Sequence, residues 1–273
     1  MEIRFFCPVW GMTEPDLESK LRRIKAAGFD GVELGATKYA TNIEEAKSLL
    51  EKYQLLFIAQ TWTVGNNVEE HMRSLEEQVA FNRQINPVYI NSQSGKDHFS
   101  VEDNMRLLQF AETLSQKYDI KIIHETHRGR FAFAAHVTDQ YLDAFPSMNL
   151  TADFSHWCCV SESLLEDQSQ YIDKAIEHAV HIHARVGYAE GPQVTDPRAG
   201  EWQAALDKHL TWWDRIVEKN RRSGLPMQTI TPEFGPALAA YMHTLPFTNM
   251  PVADQWNINC YIKDLLSKRY NSA

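Results

Sequence analysis

Eight apolar stretches of strand length, many of them β-branched, alternate along this chain with amphipathic stretches of helix length, and few architectures accept that rhythm. The strand candidates are 3–8, 31–35, 55–62, 87–92, 120–126, 148–154, 180–186 and 228–234. Between and after them lie 14–27, 43–53, 68–84, 101–118, 135–144, 166–179, 201–222 and 254–268. Strands apolar on both faces need cover on both, as parallel strands in α/β folds have. The strand ends (Trp10, Glu33, Trp62, Gln93, Glu125, Asp153, His183, Glu233) mostly recur about every thirty residues, the size of one βα unit. Capping signals mark helix starts, as at Thr13 before Glu14-Pro15-Asp16 and at Ser100 before Glu102 and Asp103, and Gly28 stops the first helix. An open doubly wound sheet alternates in the same way but carries a Gly-rich phosphate turn after its first strand, and CPVWGM is no such turn. The pattern predicts an α/β fold, a single (β/α)8 TIM barrel over 1–273, a length close to the roughly 250 residues usual for that fold. Segments 187–200 and 235–253 read as long loops at its mouth.

Charge narrows the partners. Lys plus Arg total 27 against 36 Asp plus Glu, a formal charge of −9, and an acidic surface repels a phosphate backbone. Nucleic acid is therefore not an expected partner. No apolar run approaches the roughly 20 residues that span a bilayer, and MEIRFFCPVWG is too short for a signal peptide. Cys7, Cys158, Cys159 and Cys260 form no CxxC pair and read as reduced thiols. A cytoplasmic protein without a membrane partner is expected, and a homo-oligomer is compatible with the sequence.

Parallel barrel strands end together at one mouth, so ligands far apart in sequence can meet there. HETH (124–127), TADFSH (151–156), HIHAR (181–185) and TPEFG (231–235) supply Glu125, Asp153, His183 and Glu233 at the ends of strands five to eight. Each acid alone has an ordinary explanation: Glu125 paired with Arg128 or Arg130, Asp153 capping the next segment. Together, three carboxylates without a cation would repel one another, and a divalent ion removes that repulsion. Three oxygen donors and one nitrogen suit Mn²⁺ first, then Mg²⁺ or Co²⁺, with Zn²⁺ less favoured for want of thiolates.

Alternation puts His181 and His183 on one face of their strand with Ile182 on the other. His183, nearer the mouth, is the better ligand, and His181 reads as a core or supporting histidine. Arg185 continues that face at the rim, where it would bind a substrate hydroxyl, carboxylate or phosphate. His156, three residues after Asp153, and the cluster His127, Arg128 and Arg130 are further candidates for substrate contact. Trp10 and Trp62 offer aromatic faces for a sugar's C–H surface. Trp212 and Trp213, inside an amphipathic helix, read as core.

Over nearly the whole chain these stretches resemble the xylose-isomerase-like TIM barrel superfamily, in particular its sugar phosphate isomerase/epimerase branch. The resemblance implies one divalent ion held by Glu125, Asp153, His183 and Glu233, with Glu125 and Glu233 doubling as acid and base, and His156 contacting substrate. Two positions depart from the ketose 3-epimerase pattern: Phe131 stands where a second substrate-binding glutamate is usual, and Ala189 where an arginine is. The DNA-repair branch needs more histidines after strands three and four, where this chain has AQTW and NSQS.

The expected activity is that of a metal-dependent isomerase or epimerase of a sugar or sugar derivative. It would work through an enediolate by proton transfer at a carbon next to a carbonyl, with the ion as Lewis acid. A lyase that eliminates a group from a 3-keto-glycoside begins with the same proton transfer. A sugar-binding barrel without catalysis is the reading from outside enzymology; the complete ligand set argues against it.

Overall fold

In the computed structural model, described for residues 1–39 and 42–271, eight parallel strands close into a barrel in sequence order. They are β1 (Glu2–Pro8), β2 (Gly31–Leu34), β3 (Leu56–Trp62), β4 (Ile90–Gln93), β5 (Ile122–Glu125), β6 (Leu150–Ala152), β7 (Ala179–His183) and β8 (Met227–Thr231). The helices are α1 (Leu17–Ala26), α2 (Ala36–Tyr39), α3 (Ile43–Tyr53), α4 (Val68–Asn82), α5 (Val101–Tyr118), α6 (Ala135–Ala144), α7 (Ser155–Val160), α8 (Ser169–His178), α9 (Gln203–Arg222) and α10 (Gln255–Asn271). The (β/α)8 barrel expected from the sequence is the fold observed. Helices α3, α5 and α6 match their predicted limits. Ser100 caps α5 by accepting from Asp103 N at 3.1 Å, whereas Asp16, not Thr13, caps α1. Helices α2 and α7 are too short to leave a periodic signal.

Alternation along the strands divides the core. Outward residues such as Val32, Ala59, Ile90, Leu150, Ile182 and Ile230 join the helices in one large apolar cluster. Inside, Phe6, Ile58, Tyr89 and Ile123 form a separate small cluster. Two residues nearer the mouth, Ile58, Tyr89 and Ile123 give way to Gln60, Asn91 and Glu125, and Phe6 to Pro8. The interior is therefore an apolar plug with a polar tier above it. Hydrogen bonds knit that tier across the barrel: Thr151 Oγ1 donates to Asn91 Oδ1 at 2.8 Å, and Thr231 Oγ1 to Glu33 Oε2 at 2.6 Å.

The loop after β7 is more tightly bound than its composition suggests. Gln193, nearly fully buried, accepts from Gly235 N at 2.6 Å and donates to Gly235 O at 3.2 Å, which ties this loop to the one after β8. His209 of α9 donates from Nδ1 to Ala205 O at 2.9 Å, and its Nε2 accepts from Gly187 N at 3.2 Å. Burial lowers His209 and His124 to about 4. Between that value and the ordinary His range the unfolded chain binds more protons than the folded one. Their stabilisation is thus complete above about pH 6.5 and lost as pH falls toward 4, a few kcal/mol for the pair to order of magnitude. Thermal melts from pH 7 to 4 should show Tm falling across this window, with a shallower fall in His209→Gln; an identical fall in the variant would remove His209 from the effect.

Candidate metal centre

The polar tier delivers one ligating atom each from Glu125, Asp153, His183 and Glu233, all within 4.8 Å of one another and all buried. His183 Nδ1 lies 2.8 Å from Glu233 Oε2 and 3.6 Å from Glu125 Oε1. The other ring nitrogen, Nε2, lies 3.0 Å from Glu33 Oε1. Glu33 also meets Asn91 Nδ2 at 2.9 Å, His181 Nε2 at 3.1 Å and the Thr231 hydroxyl. Burial alone would raise its carboxyl, but the His183 and His181 charges outweigh that and hold it well below the usual range. A carboxylate behind an imidazole fixes the ring and makes it a better metal ligand. The sequence reading gave Glu33 no role, although a lone acid in the apolar GVELG stretch is the same signal that marked Glu125. Glu33→Gln should weaken Mn²⁺ binding roughly 10–100-fold in a direct titration; unchanged affinity would show that Glu33 does not tune the ligand.

Glu125 accepts at Oε2 from Gln93 Nε2 (3.1 Å) and Asn91 Nδ2 (3.4 Å), while Oε1 is buried without a hydrogen bond. Among the described residues no ion pair joins it to Arg128 or Arg130. Arg130 instead donates to Thr63 O at 2.8 Å and Gly95 O at 3.4 Å, clamping the loops after β3 and β4. Arg128 approaches Cys159 Sγ at 3.8 Å and lies over the Tyr241 ring. Asp153 combines both readings of it: Oδ1 accepts from Ser155 N (3.2 Å) and the Ser155 hydroxyl at the start of α7, while Oδ2 faces the cluster.

Arg185 departs from expectation. Alternation put it on the correct face but at the rim, whereas its guanidinium is 1% exposed and turned into the acids. Nε and Nη2 donate to Asp153 Oδ2 at 3.2 and 2.9 Å, and Nη2 also to Glu233 Oε2. Buried carboxylates cost several kcal/mol unless paired, and the long side chain reaches inward to pair two of them.

The residues fit a divalent ion. Four buried carboxylates, Glu33, Glu125, Asp153 and Glu233, surround His183 and Arg185, and a divalent cation would offset the excess of negative charge. Burial pushes Asp153 up to about 6, with Arg185 opposing and the Glu233 and Glu125 charges adding. Burial would also raise Glu125, but the His183 charge overrides it and holds that carboxyl at about 2. His183 Nδ1 and Glu125 Oε1 are both buried without hydrogen bonds and lie 3.6 Å apart within the cluster. Three carboxylates and an imidazole are donors for hard or borderline ions.

Above the cluster opens a cavity of about 210 Å³, whose polar lining includes Glu233, Arg185, Gln60, Gln93 and His127. Trp10, Trp62 and Tyr241 supply its aromatic walls. Two glycines let the walls close in: a Cβ on Gly235 would stand 2.4 Å from the Trp10 ring, and one on Gly35 2.7 Å from that of Trp62. His156 lies just outside this lining, buried, 3.5 Å from Asp153 Oδ2, its ring 3.9 Å from that of His127. Gln60 and Gln93 were legible only as polar breaks in apolar strands, and nothing in 235–253 singled out Tyr241. A larger groove of about 620 Å³ between the β1 loop, residues 236–253 and the start of α10 holds none of the tetrad.

No family model and no curated relative matches the sequence. Solved structures do. The 3-keto-D-glucoside 4-epimerase of E. coli superposes with a TM-score of 0.67 at 14% identity, over 98% of this chain and all of the other. The D-allulose 3-epimerase of a Methylomonas species gives 0.65 at 15% identity, covering 98% of each chain. A probable 3-DHS dehydratase of Bacillus anthracis gives 0.63 at 15%, covering 97% of this chain and 99% of the other. All three share the overall fold of this chain. At such identities the likeness speaks for architecture, and chemistry has to be argued from the site. None of the helices among the described residues is long and apolar enough to cross a membrane, and the four cysteines are free.

Proposed function

We propose that the chain, as one barrel domain over 1–273, is a divalent-metal-dependent isomerase or epimerase of a sugar or sugar derivative, held in the cytoplasm. The observation that carries this reading is the meeting of two glutamates, from β5 and from just past β8, around His183 at the base of a small aromatic-walled cavity. Bound by the tetrad, with Mn²⁺ the preferred occupant, an ion would act as a Lewis acid on a substrate carbonyl. Glu233 and Glu125 then serve as base and acid, one taking the proton next to the carbonyl and the other returning a proton. Trp10 and Trp62 receive the C–H face of the sugar, and Gln60, Gln93 and His127 its hydroxyls. Sugar epimerases among the structural neighbours support the reaction class. The dehydratase neighbour favours a second reading, elimination after the same proton removal.

The test is a Mn²⁺-supplemented screen of free and phosphorylated ketoses and of 3-keto-glucosides, followed by NMR in D₂O. Deuterium should enter at the carbon beside the carbonyl. Release of water or an aglycone would assign the lyase reading, and no exchange with any substrate would leave only a binding protein. Phe131 packs in the core against His124 and Tyr141 and offers no polar group to a sugar. Free fructose and tagatose are therefore expected to be poor substrates compared with a sugar bearing a carboxylate, phosphate or glycosidic group, and efficient turnover of either would refute that preference.

A further inference from the structure

Arg185 engages the four ligands unequally, holding Asp153 and Glu233 but neither Glu125 nor His183. The Asp153 carboxylate has about four lone-pair sites and meets four donors: Ser155 N and hydroxyl on Oδ1, Arg185 Nε and Nη2 on Oδ2. Glu233 Oε2 takes the same Arg185 Nη2. Glu125 Oε1, by contrast, holds no hydrogen bond, while His183 Nδ1 lies 2.8 Å from Glu233 Oε2 without hydrogen-bond geometry. Arg185 is itself incompletely satisfied, because its Nη1 is buried without a partner. Its guanidinium carbon lies 4.6 Å from the centre of the Tyr241 ring and 5.8 Å from that of Trp10, two of the three aromatic walls of the cavity. An ion that used Asp153 would need an oxygen that Arg185 or Ser155 now holds, and one that used Glu233 Oε2 would meet the same guanidinium.

We propose that Arg185 is a built-in competitor of the metal ion: it holds Asp153 and Glu233 until a divalent cation takes their oxygens, then yields them and serves as a substrate contact in the cavity. The proposal rests on the metal-dependent reading above. Three carboxylates left without a cation repel one another, so the arginine keeps the site assembled while no ion is bound. Its release couples two events. Ion loading frees the Arg185 guanidinium beside the cavity, so a substrate with an anionic group binds more tightly to the loaded protein, and by reciprocity the ion binds more tightly in its presence.

The experiment is a calorimetric Mn²⁺ titration of the wild type and of Arg185→Met, together with a crystal structure of the Mn²⁺-loaded wild type. Arg185→Met should bind Mn²⁺ at least about tenfold more tightly, the scale of a charge-assisted hydrogen bond removed from the competitor. In the loaded crystal Asp153 Oδ2 should contact the ion, with no Arg185 nitrogen within hydrogen-bond distance of it. Equal or weaker binding by the variant overturns the competition. So does a loaded wild type in which Arg185 still donates to Asp153 Oδ2, and that structure decides the matter even if Arg185→Met fails to fold. Failure of both proteins to bind Mn²⁺ overturns the metal reading and this proposal together, whereas binding with the arginine in place overturns this proposal alone.

Discussion

Exchange of Glu233 for Gln is expected to lower turnover by at least about a hundredfold while the barrel stays folded and still takes up its ion. Gln keeps an oxygen at the same reach for the metal and still accepts the hydrogen bond from Arg185, but it cannot take a proton. Gln60, whose Nε2 lies 3.4 Å from Glu233 Oε1, can flip its own amide to present its oxygen to the new NH2 group. The checks are kcat on the substrate found by the screen, metal content of the purified protein and its melting curve. Activity near wild type would show that Glu233 does not carry the proton.

Asp153→Asn should strike metal and stability together. Asn keeps the acceptor that Ser155 needs at the start of α7 but removes the charge that faces both Arg185 and the ion. Mn²⁺ occupancy should fall and turnover disappear. Breaking a buried ion pair by removing one partner typically costs about 3–5 kcal/mol, and the lower end applies because Glu233 still pairs with the arginine. Urea unfolding and metal analysis read the two effects separately. Full metal binding by this variant would sink the four-ligand site, and His183→Ala gives an independent reading of the same site.

The strand ends made the tetrad legible, because a parallel barrel collects its C-terminal ends at one mouth and each acid followed an apolar run. What the sequence hid has physical reasons. Glu33 carries the same signal as Glu125, but its value as a partner depends on His183 facing it across the barrel, a contact between residues 150 apart. The direction of Arg185 was hidden differently. Alternation fixes the face on which a side chain starts, while a long guanidinium goes where the charge draws it, here inward to Asp153 and Glu233. Arg130 reads as a ligand-binding residue in HETHRGR, yet two backbone carbonyls from neighbouring loops claim it. Helix α7 spans six residues, too few for periodicity, and so His156 could not be placed on a helix beforehand.

The two-storey interior bears on how such a barrel changes its trade. Phe6, Ile58, Tyr89 and Ile123 fill the interior below, while the ligands stand nearer the mouth. Glu125 lies one inward position above Ile123, and Asp153, His183 and Glu233 lie at or just past the ends of β6, β7 and β8. Inheritance can therefore treat the storeys as separate texts. Residues such as Gln60, Gln93 and Glu125 can be rewritten for another substrate or another bond while the lower line, which keeps eight strands in a ring, is copied unchanged. The reverse edit is harder, since any polar group added there would need a partner of its own, as the Tyr89 hydroxyl has in Thr229.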